Sequence, residues 1–158
     1  MLKTLSIILE NESGALSRVV GLFSQRGYNI ESLTVSPTED PTLSSMTIQT
    51  IGDNNTLEQI KKQLHKLIDV LQVRELNFLD YITKEIILLK IKLKKHKKKE
   101  IEKNIKKFKG KIINIKLNKY IIQLTDNNKR INSFIKIIKE DSNIIETSRS
   151  GIVVIHKN

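Results

Sequence analysis

The stretch Thr4-Leu5-Ser6-Ile7-Ile8-Leu9-Glu10-Asn11-Glu12-Ser13-Gly14-Ala15-Leu16 decides how the first half of the chain folds. Residues 4–9 are mostly leucine, isoleucine and threonine and predict a strand. The polar run 10–14 contains Asn, Ser and Gly, which are typical of a turn. From Ala15 the apolar residues recur at helical spacing, and Gly27 follows as a C-terminal glycine. A strand, a turn and an amphipathic helix therefore open the chain.

Further periodic segments extend this beginning to six elements. Alternating or apolar runs predict strands at 29–35, 43–51 and 70–73. A second amphipathic helix is predicted after Asn55, which forms a capping-box pattern with Glu58. The order is βαββαβ in about 75 residues, which is the order of ferredoxin-like modules.

The second half of the chain repeats this order with lysine-rich elements. Its apolar positions predict a strand at 87–93, a helix at 101–108, strands at 113–117 and 120–124, a helix at 131–138, and closing strand segments at 144–145 and 152–155. We therefore expect an α+β protein of two ferredoxin-like βαββαβ modules. The modules should cover residues 1–77 and 83–158.

The charge of the chain is concentrated in the second half. The 158 residues include 28 Lys and Arg against 17 Asp and Glu, for a formal net charge of +11. Residues 1–80 hold 7 basic and 10 acidic side chains, whereas residues 81–158 hold 21 and 7. A nucleic acid or an anionic surface is a general partner for a basic protein. In this chain such a partner would bind to the second half alone.

Several chemistries are excluded or unsupported by composition. The absence of cysteine excludes disulfides, thiolate metal sites and cysteine nucleophiles. No apolar run approaches the roughly 20 residues of a membrane span, so we expect a cytoplasmic protein with no membrane partner. The spacing of His65, His96 and His156 matches no metal motif, and the glycines form no phosphate-binding loop. We predict no catalytic residue, no metal and no cofactor in this chain.

The junction between the first strand and the first helix is the best candidate for a ligand site. A helix that opens at Gly14 leaves the N–H groups of Gly14, Ala15 and Leu16 without intrahelical partners. Such a terminus favours a carboxylate or phosphate, and Asn11 adds both a donor and an acceptor. The alternative is that Asn11 or Ser13 simply caps the helix.

The lysine-rich stretch 90–111 supports a second interpretation. Its central cluster is able to contact phosphates and consists of Lys94, Lys95, Lys97, Lys98 and Lys99. The cluster lacks arginine and interleaved aromatic side chains, which base readout and stacking use. The whole chain is also rich in Ile, Lys and Asn, which AT-rich codons favour, so exposed lysines need no partner. Nucleic-acid binding by the second half is therefore kept only as the alternative function.

Residues 9–33, which include Asn11-Glu12-Ser13-Gly14-Ala15-Leu16, resemble the ACT domain in the regulatory small subunits of acetolactate synthase. The segments 37–48 and 59–67 continue the match. In the second half, only residues 148–153 are similar to the family pattern. The resemblance implies that the first module is an ACT domain.

In this family, valine binds where two ACT domains pair their sheets side by side in a homodimer. The resemblance therefore implies a composite effector site. Its polar end would be held by one chain, and the second chain would complete it near the aliphatic group. The implied residues are Asn11, Gly14, Ala15 and Leu16 of one chain, Asn29 and Ile30 of the other, and Val35 beside the aliphatic side chain.

The resemblance also implies a partner. Small subunits of this family associate with a large catalytic subunit that carries thiamine diphosphate, Mg²⁺ and FAD and catalyses the first common step of branched-chain amino-acid synthesis. The small subunit activates that enzyme, and valine reverses the activation. The second half is more lysine-rich than the family pattern, which leaves its contact surface for the large subunit open. The polar loop 37–45 is either a further contact with the partner or an ordinary hairpin connection.

Overall fold

The computed structural model describes residues 1–77 and 79–157. The chain forms two compact units, one made of Met1–Ile82 together with the residues from Val153 onward, and the other of Thr83–Ile152. Each unit has its own hydrophobic core. The predicted modules, 1–77 and 83–158, differ from this division only in where they place the linker and the final strand, and their boundaries stay a prediction.

The first unit contains a four-stranded antiparallel sheet and two helices. The strands have the order β2-β3-β1-β4, which places β2 and β4 at the edges. The elements are β1 (Leu2–Glu10), α1 (Ala15–Gln25), β2 (Ile30–Pro37), β3 (Leu43–Ile51), α2 (Asn54–Leu64) and β4 (Val70–Glu75).

Both helices pack their apolar stripes against one face of this sheet. In the centre, Leu5 of β1 lies opposite Ile48 of β3, and Ile7 lies opposite Met46. A slip of one residue would turn all these side chains to the other face, so burial fixes the register. The core consists mainly of Leu5, Ile7, Leu9, Val19, Phe23, Met46, Ile48, Leu57, Ile60 and Leu64.

The second unit repeats the βαββαβ order. Its strand order is β6-β7-β5-β8. The elements are β5 (Tyr81–Leu93), α3 (Lys98–Lys107), β6 (Lys111–Lys116), β7 (Lys119–Asp126), α4 (Asn128–Asp141) and β8 (Ser142–Arg149). The last strand, β9 (Val153–His156), pairs with β5, and its residues are counted with the first unit. Isoleucine dominates the core, which includes Ile87, Leu89, Ile91, Ile101, Ile105, Ile122, Leu124, Ile131, Phe134 and Ile138.

The structure confirms the predicted α+β class and the repeated element order, but it corrects two local predictions. Asn55 does not cap the second helix: the N-cap is Asp53, whose carboxylate accepts a hydrogen bond from the N–H of Thr56 at 2.7 Å. The β6–β7 turn lies at Leu117 and Asn118, both with positive φ, one residue earlier than predicted. Among the described residues, no helix has the length and apolarity to cross a membrane.

Two glycines of the first unit differ in backbone conformation but not in surroundings. A Cβ atom added at Gly21 or at Gly27 would meet no heavy atom within 4 Å. Gly21 lies inside α1, whereas Gly27 follows the helix with φ +68°. Of these two positions, Gly27 therefore has the backbone conformation that favours glycine, and Gly21 does not.

We expect Gly21→Ala to raise the free energy of unfolding by about 0.5–1 kcal/mol, because alanine favours the helix. We expect Gly27→Ala to lower it by about 1–2 kcal/mol, because alanine is strained at positive φ. Urea denaturation of both variants at one protein concentration measures the difference. A shift of the same sign in both variants would contradict the structural assignment.

Candidate functional site

The junction between β1 and α1 starts the helix without a side-chain cap. Gly14 is the N-cap residue, with φ +90°, and among the described residues no side chain accepts a hydrogen bond as a cap of this helix. The alternative interpretation, in which Asn11 or Ser13 caps the helix, is therefore wrong. A residue with a Cβ would be strained at this φ, which explains the glycine.

The first turn keeps most of its predicted free donors. The N–H of Ala15 donates to the carbonyl of Glu12 at 3.2 Å, so this group is not free. In the described part of the chain, the N–H groups of Gly14 and Leu16 have no hydrogen-bond partner. Two free donors at the positive end of an 11-residue helix dipole favour an anionic group.

Asn11 ties the junction to the turn that connects β2 and β3. Its amide Nδ2 donates to the carbonyl of Pro41 at 2.9 Å, and its Oδ1 accepts from Ser44 Oγ at 3.1 Å. Its backbone N–H donates to the carbonyl of Thr42 at 2.7 Å. Each side-chain group keeps one further hydrogen-bonding position, because an amide has two N–H donors and two oxygen lone pairs.

A cavity of about 200 Å³ lies at this junction. Four of the seven predicted site residues line it, namely Asn11, Ala15, Leu16 and Val35. The other residues that line it are Leu9, Glu10, Glu12, Ser36, Pro37 and Ser44. The wall therefore combines aliphatic side chains from α1 and β2 with polar groups from the loop.

The three remaining predicted residues lie outside this cavity within one chain. Gly14 contributes instead to a separate groove along α1, together with Arg18 and Gly21. Asn29 and Ile30 lie at the beginning of β2, whereas Val35 lies near its end. The carbonyl of Asn29 accepts a hydrogen bond from Thr50 Oγ1 at 2.7 Å, and Ile30 packs against the core.

Sequence reasoning missed the pair that holds the other side of the junction. Arg18 Nε donates to Asp69 Oδ2, and Arg18 Nη2 donates to Asp69 Oδ1 at 2.7 Å. The carbonyl of Asp69 also accepts from the N–H of Glu10 at 2.9 Å. A Cβ at Gly14 would lie 2.9 Å from Arg18 Nη1, so the missing side chain makes room for the guanidinium.

The Arg18–Asp69 pair also governs the local charge. The side chain of Asp69 is buried, and the hydrogen bonds from Arg18 hold its pKa below the usual value of 3.8. The carboxylates of Glu10 and Glu12 lie near Asp69, with oxygens within 4.8 Å of one another. Because both Asp69 oxygens accept from Arg18, this carboxylate is neutralised by the protein itself.

Known proteins are similar to this chain over its whole length. Residues 5–72 match the family of AHAS small subunit-like ACT domains, and residues 84–158 match the family of small subunits of acetolactate synthase. The chain is 55% identical over 153 residues to an acetolactate synthase small subunit of Buchnera aphidicola, with 97% of each chain covered.

Two further relatives extend this likeness. The chain is 53% identical to the isozyme 3 small subunit of acetolactate synthase from Escherichia coli, covering 97% of this chain and 94% of the relative. The crystal structure of the acetolactate synthase small subunit from Thermotoga maritima superposes with a TM-score of 0.85 at 32% identity, covering 100% of this chain and 98% of the other.

We expect the contribution of Asp69 to stability to depend on pH. Because the folded state lowers its pKa, the ionised carboxylate stabilises the fold above pH 3.8, and this stabilisation disappears as the pH falls through the lowered pKa. Asp69→Asn should therefore be less stable than the parent protein near neutral pH, with a difference that shrinks under acid. Urea denaturation across the acid range measures it.

Glu39→Gln is the control for this experiment, since it removes an exposed carboxylate in the β2–β3 turn and changes the net charge equally. A stability difference between the parent and Asp69→Asn that stays constant from neutral pH into the acid range would contradict the role given to this ion pair.

Proposed function

The chain belongs to the family of acetolactate synthase small subunits, and we propose that it is a regulatory subunit that binds valine at the junction of β1 and α1. The uncapped N-terminus of α1, opening beside a small part-aliphatic cavity, is the observation that carries this proposal. Its chemistry matches both ends of a small aliphatic amino acid.

The polar end of valine would use the loop. Its carboxylate would accept from the free N–H groups of Gly14 and Leu16, which lie at the positive end of the helix dipole. Its ammonium would face the negative potential of Glu10 and Glu12, which line the same cavity. The remaining lone pair of Asn11 Oδ1 would accept from the ammonium.

The aliphatic end would contact Leu16 and Val35, which are both partly exposed in the single chain. Burying these two side chains against the ligand makes the free energy of binding more favourable. The volume of about 200 Å³ suits a ligand of few heavy atoms.

A second copy of the chain would complete the site through β2. This strand lies at the edge of the sheet, so its outer side is open to pairing. Two β2 strands paired antiparallel about Ser32 and Leu33 would place Asn29 and Ile30 of the second copy opposite Val35 and Ser36. The open edge of β2 supports the proposed homodimer, in which Asn29 and Ile30 would reach the cavity from the second copy.

The regulated partner would be a large catalytic subunit in the cytoplasm, carrying thiamine diphosphate, Mg²⁺ and FAD and condensing pyruvate with pyruvate or 2-oxobutyrate. The small subunit would favour the active state of this enzyme, and valine would oppose it. Such coupling is reciprocal in free energy, so the large subunit must also change the affinity of the small subunit for valine.

We expect the purified chain alone to form no acetolactate and to increase the activity of the large subunit when the two are mixed. Valine should reduce the increase. An acetolactate assay of the large subunit, titrated with this chain with and without valine, measures both effects. A large subunit that is unaffected at micromolar concentrations of this chain would refute the proposed function.

We expect Gly14→Asp to reduce valine affinity by about tenfold or more, because it strains a residue at φ +90° and adds a negative charge beside the ligand carboxylate. Its side chain would also meet Arg18. Isothermal calorimetry with valine measures the loss.

Gly21→Ala is the control for Gly14→Asp, because Gly21 lies in the interior of α1, away from the free N–H groups of Gly14 and Leu16, with open space at its Cβ. Its valine affinity should equal that of the parent. Unchanged valine affinity in Gly14→Asp would show that the site is wrongly assigned.

A further inference from the structure

Strand β6 is an exposed, apolar edge of the second unit. It is the end strand in the order β6-β7-β5-β8, so its outer backbone groups have no strand partner in the described chain. All six of its residues are exposed. They include Ile112, Ile113 and Ile115, whose side chains are 37%, 55% and 55% exposed, and the adjoining Leu117 is 85% exposed.

Part of this apolar surface continues the hydrophobic core. Ile112 lies directly opposite Ile122 of β7, and Ile115 lies opposite Tyr120. Side chains that lie opposite each other in an antiparallel pair point to the same face of the sheet. Because Ile122 and Tyr120 are buried, Ile112 and Ile115 belong to the core face but are left uncovered at the edge.

The edges of the first unit are different. Among the large apolar side chains of β2, only Val35 is classed as exposed, and in β4 only Leu71. The pairing of β6 with β7 has one register shift, between Ile112 and Asn114. The exposed apolar edge is still a template for pairing with another chain unless it is covered. The question is therefore which chain would cover it.

The charge around β6 opposes a second copy. Between Glu102 and Asp126 the sequence contains seven lysines and no acidic residue. In the described structure, Lys111, Lys116 and Lys119 form no ion pair. Two fully overlapping antiparallel β6 strands would place Lys111 of one copy opposite Lys116 of the other, and like charges in this position are destabilising.

The same charge favours an acidic partner. Carboxylates beside an added strand would pair with Lys111 and Lys116, while apolar side chains would cover the exposed isoleucines. A nucleic acid would satisfy the lysines but would leave the isoleucines in water. A protein strand satisfies both groups and also the free backbone edge.

We propose that β6 is a docking edge for an extended segment of the large catalytic subunit, with apolar residues at its centre and acidic residues at its ends. This inference rests on the proposed function, since it takes the large subunit as the partner. It assigns a binding role to the second unit, separate from the valine site of the first.

Lys111→Glu/Lys116→Glu tests the charge pairing. In a titration of the large subunit, followed by calorimetry or by half-maximal activation, this variant should bind about tenfold more weakly or worse. Lys103→Glu/Lys136→Glu is the matched control, because it makes the same change in net charge at exposed positions of α3 and α4. The control should bind like the parent protein.

Ile113→Thr tests the apolar part, because threonine keeps the β-branched shape and removes an exposed apolar contact. It should also weaken binding of the large subunit, while valine affinity of the free small subunit stays unchanged in all these variants. Unchanged valine affinity shows that the first unit is intact and separates this test from that of the valine site.

The outcomes separate the two proposals. A parent chain that does not bind the large subunit overturns both. Binding by the parent together with equal binding by Lys111→Glu/Lys116→Glu and Ile113→Thr overturns the docking edge alone. Stronger self-association of Lys116→Glu in sedimentation, with unchanged binding of the large subunit, would instead assign β6 to a contact between copies, because the substitution places a carboxylate opposite Lys111 of the second copy.

Discussion

The two-sided anchoring of the β1–α1 junction is the constraint on which the rest of the first unit depends. Helix α1 begins at a left-handed glycine with no side-chain cap, so the helix itself does not define the loop. Asn11 ties one side of the loop to Pro41 and Ser44, and Arg18 ties the helix to Asp69 on the other side. Free donors at a helix N-terminus bind a ligand only where the surrounding backbone holds them in place.

The same constraint accounts for the glycine. The Arg18 guanidinium occupies the space that a side chain at position 14 would need, and φ +90° strains any residue with a Cβ. Glycine at position 14 thus leaves room for the Arg18–Asp69 ion pair, allows the helix to begin without a side-chain cap, and keeps the loop backbone accessible to a ligand. The second unit has an arginine–carboxylate fork of its own, from Arg149 to the buried Glu85, but there it joins two neighbouring strands of the sheet.

Sequence periodicity was sufficient for the elements, because each strand and helix has one apolar face with its own spacing. Periodicity could not predict contacts between side chains that are far apart in the sequence. Arg18 and Asp69 are 51 residues apart, and no local pattern marks them as partners. The cap at Asp53 was missed because Asn55 and Glu58 imitate a capping box two residues later. The helix start itself indicated Asn11, Gly14, Ala15 and Leu16, whereas Asn29, Ile30 and Val35 were named only from the resemblance. Four of these seven residues, Asn11, Ala15, Leu16 and Val35, line one cavity in a single chain.

The net charge has a different meaning in each unit. The loop that would hold valine would use backbone N–H groups, an asparagine and nearby carboxylates, and no lysine is among the described residues that line its cavity. The positive charge lies in the second unit, where the apolar positions predicted a strand at 113–117 without indicating that it lies at an edge. The alternation of apolar and polar residues does not predict which strand lies at the edge of a sheet, because this depends on the strand order of the whole sheet. At the proposed docking edge, lysines beside isoleucines would keep identical copies apart and would leave an apolar, basic surface for another chain. On this proposal, the positive charge selects an acidic protein partner and does not attract a nucleic acid.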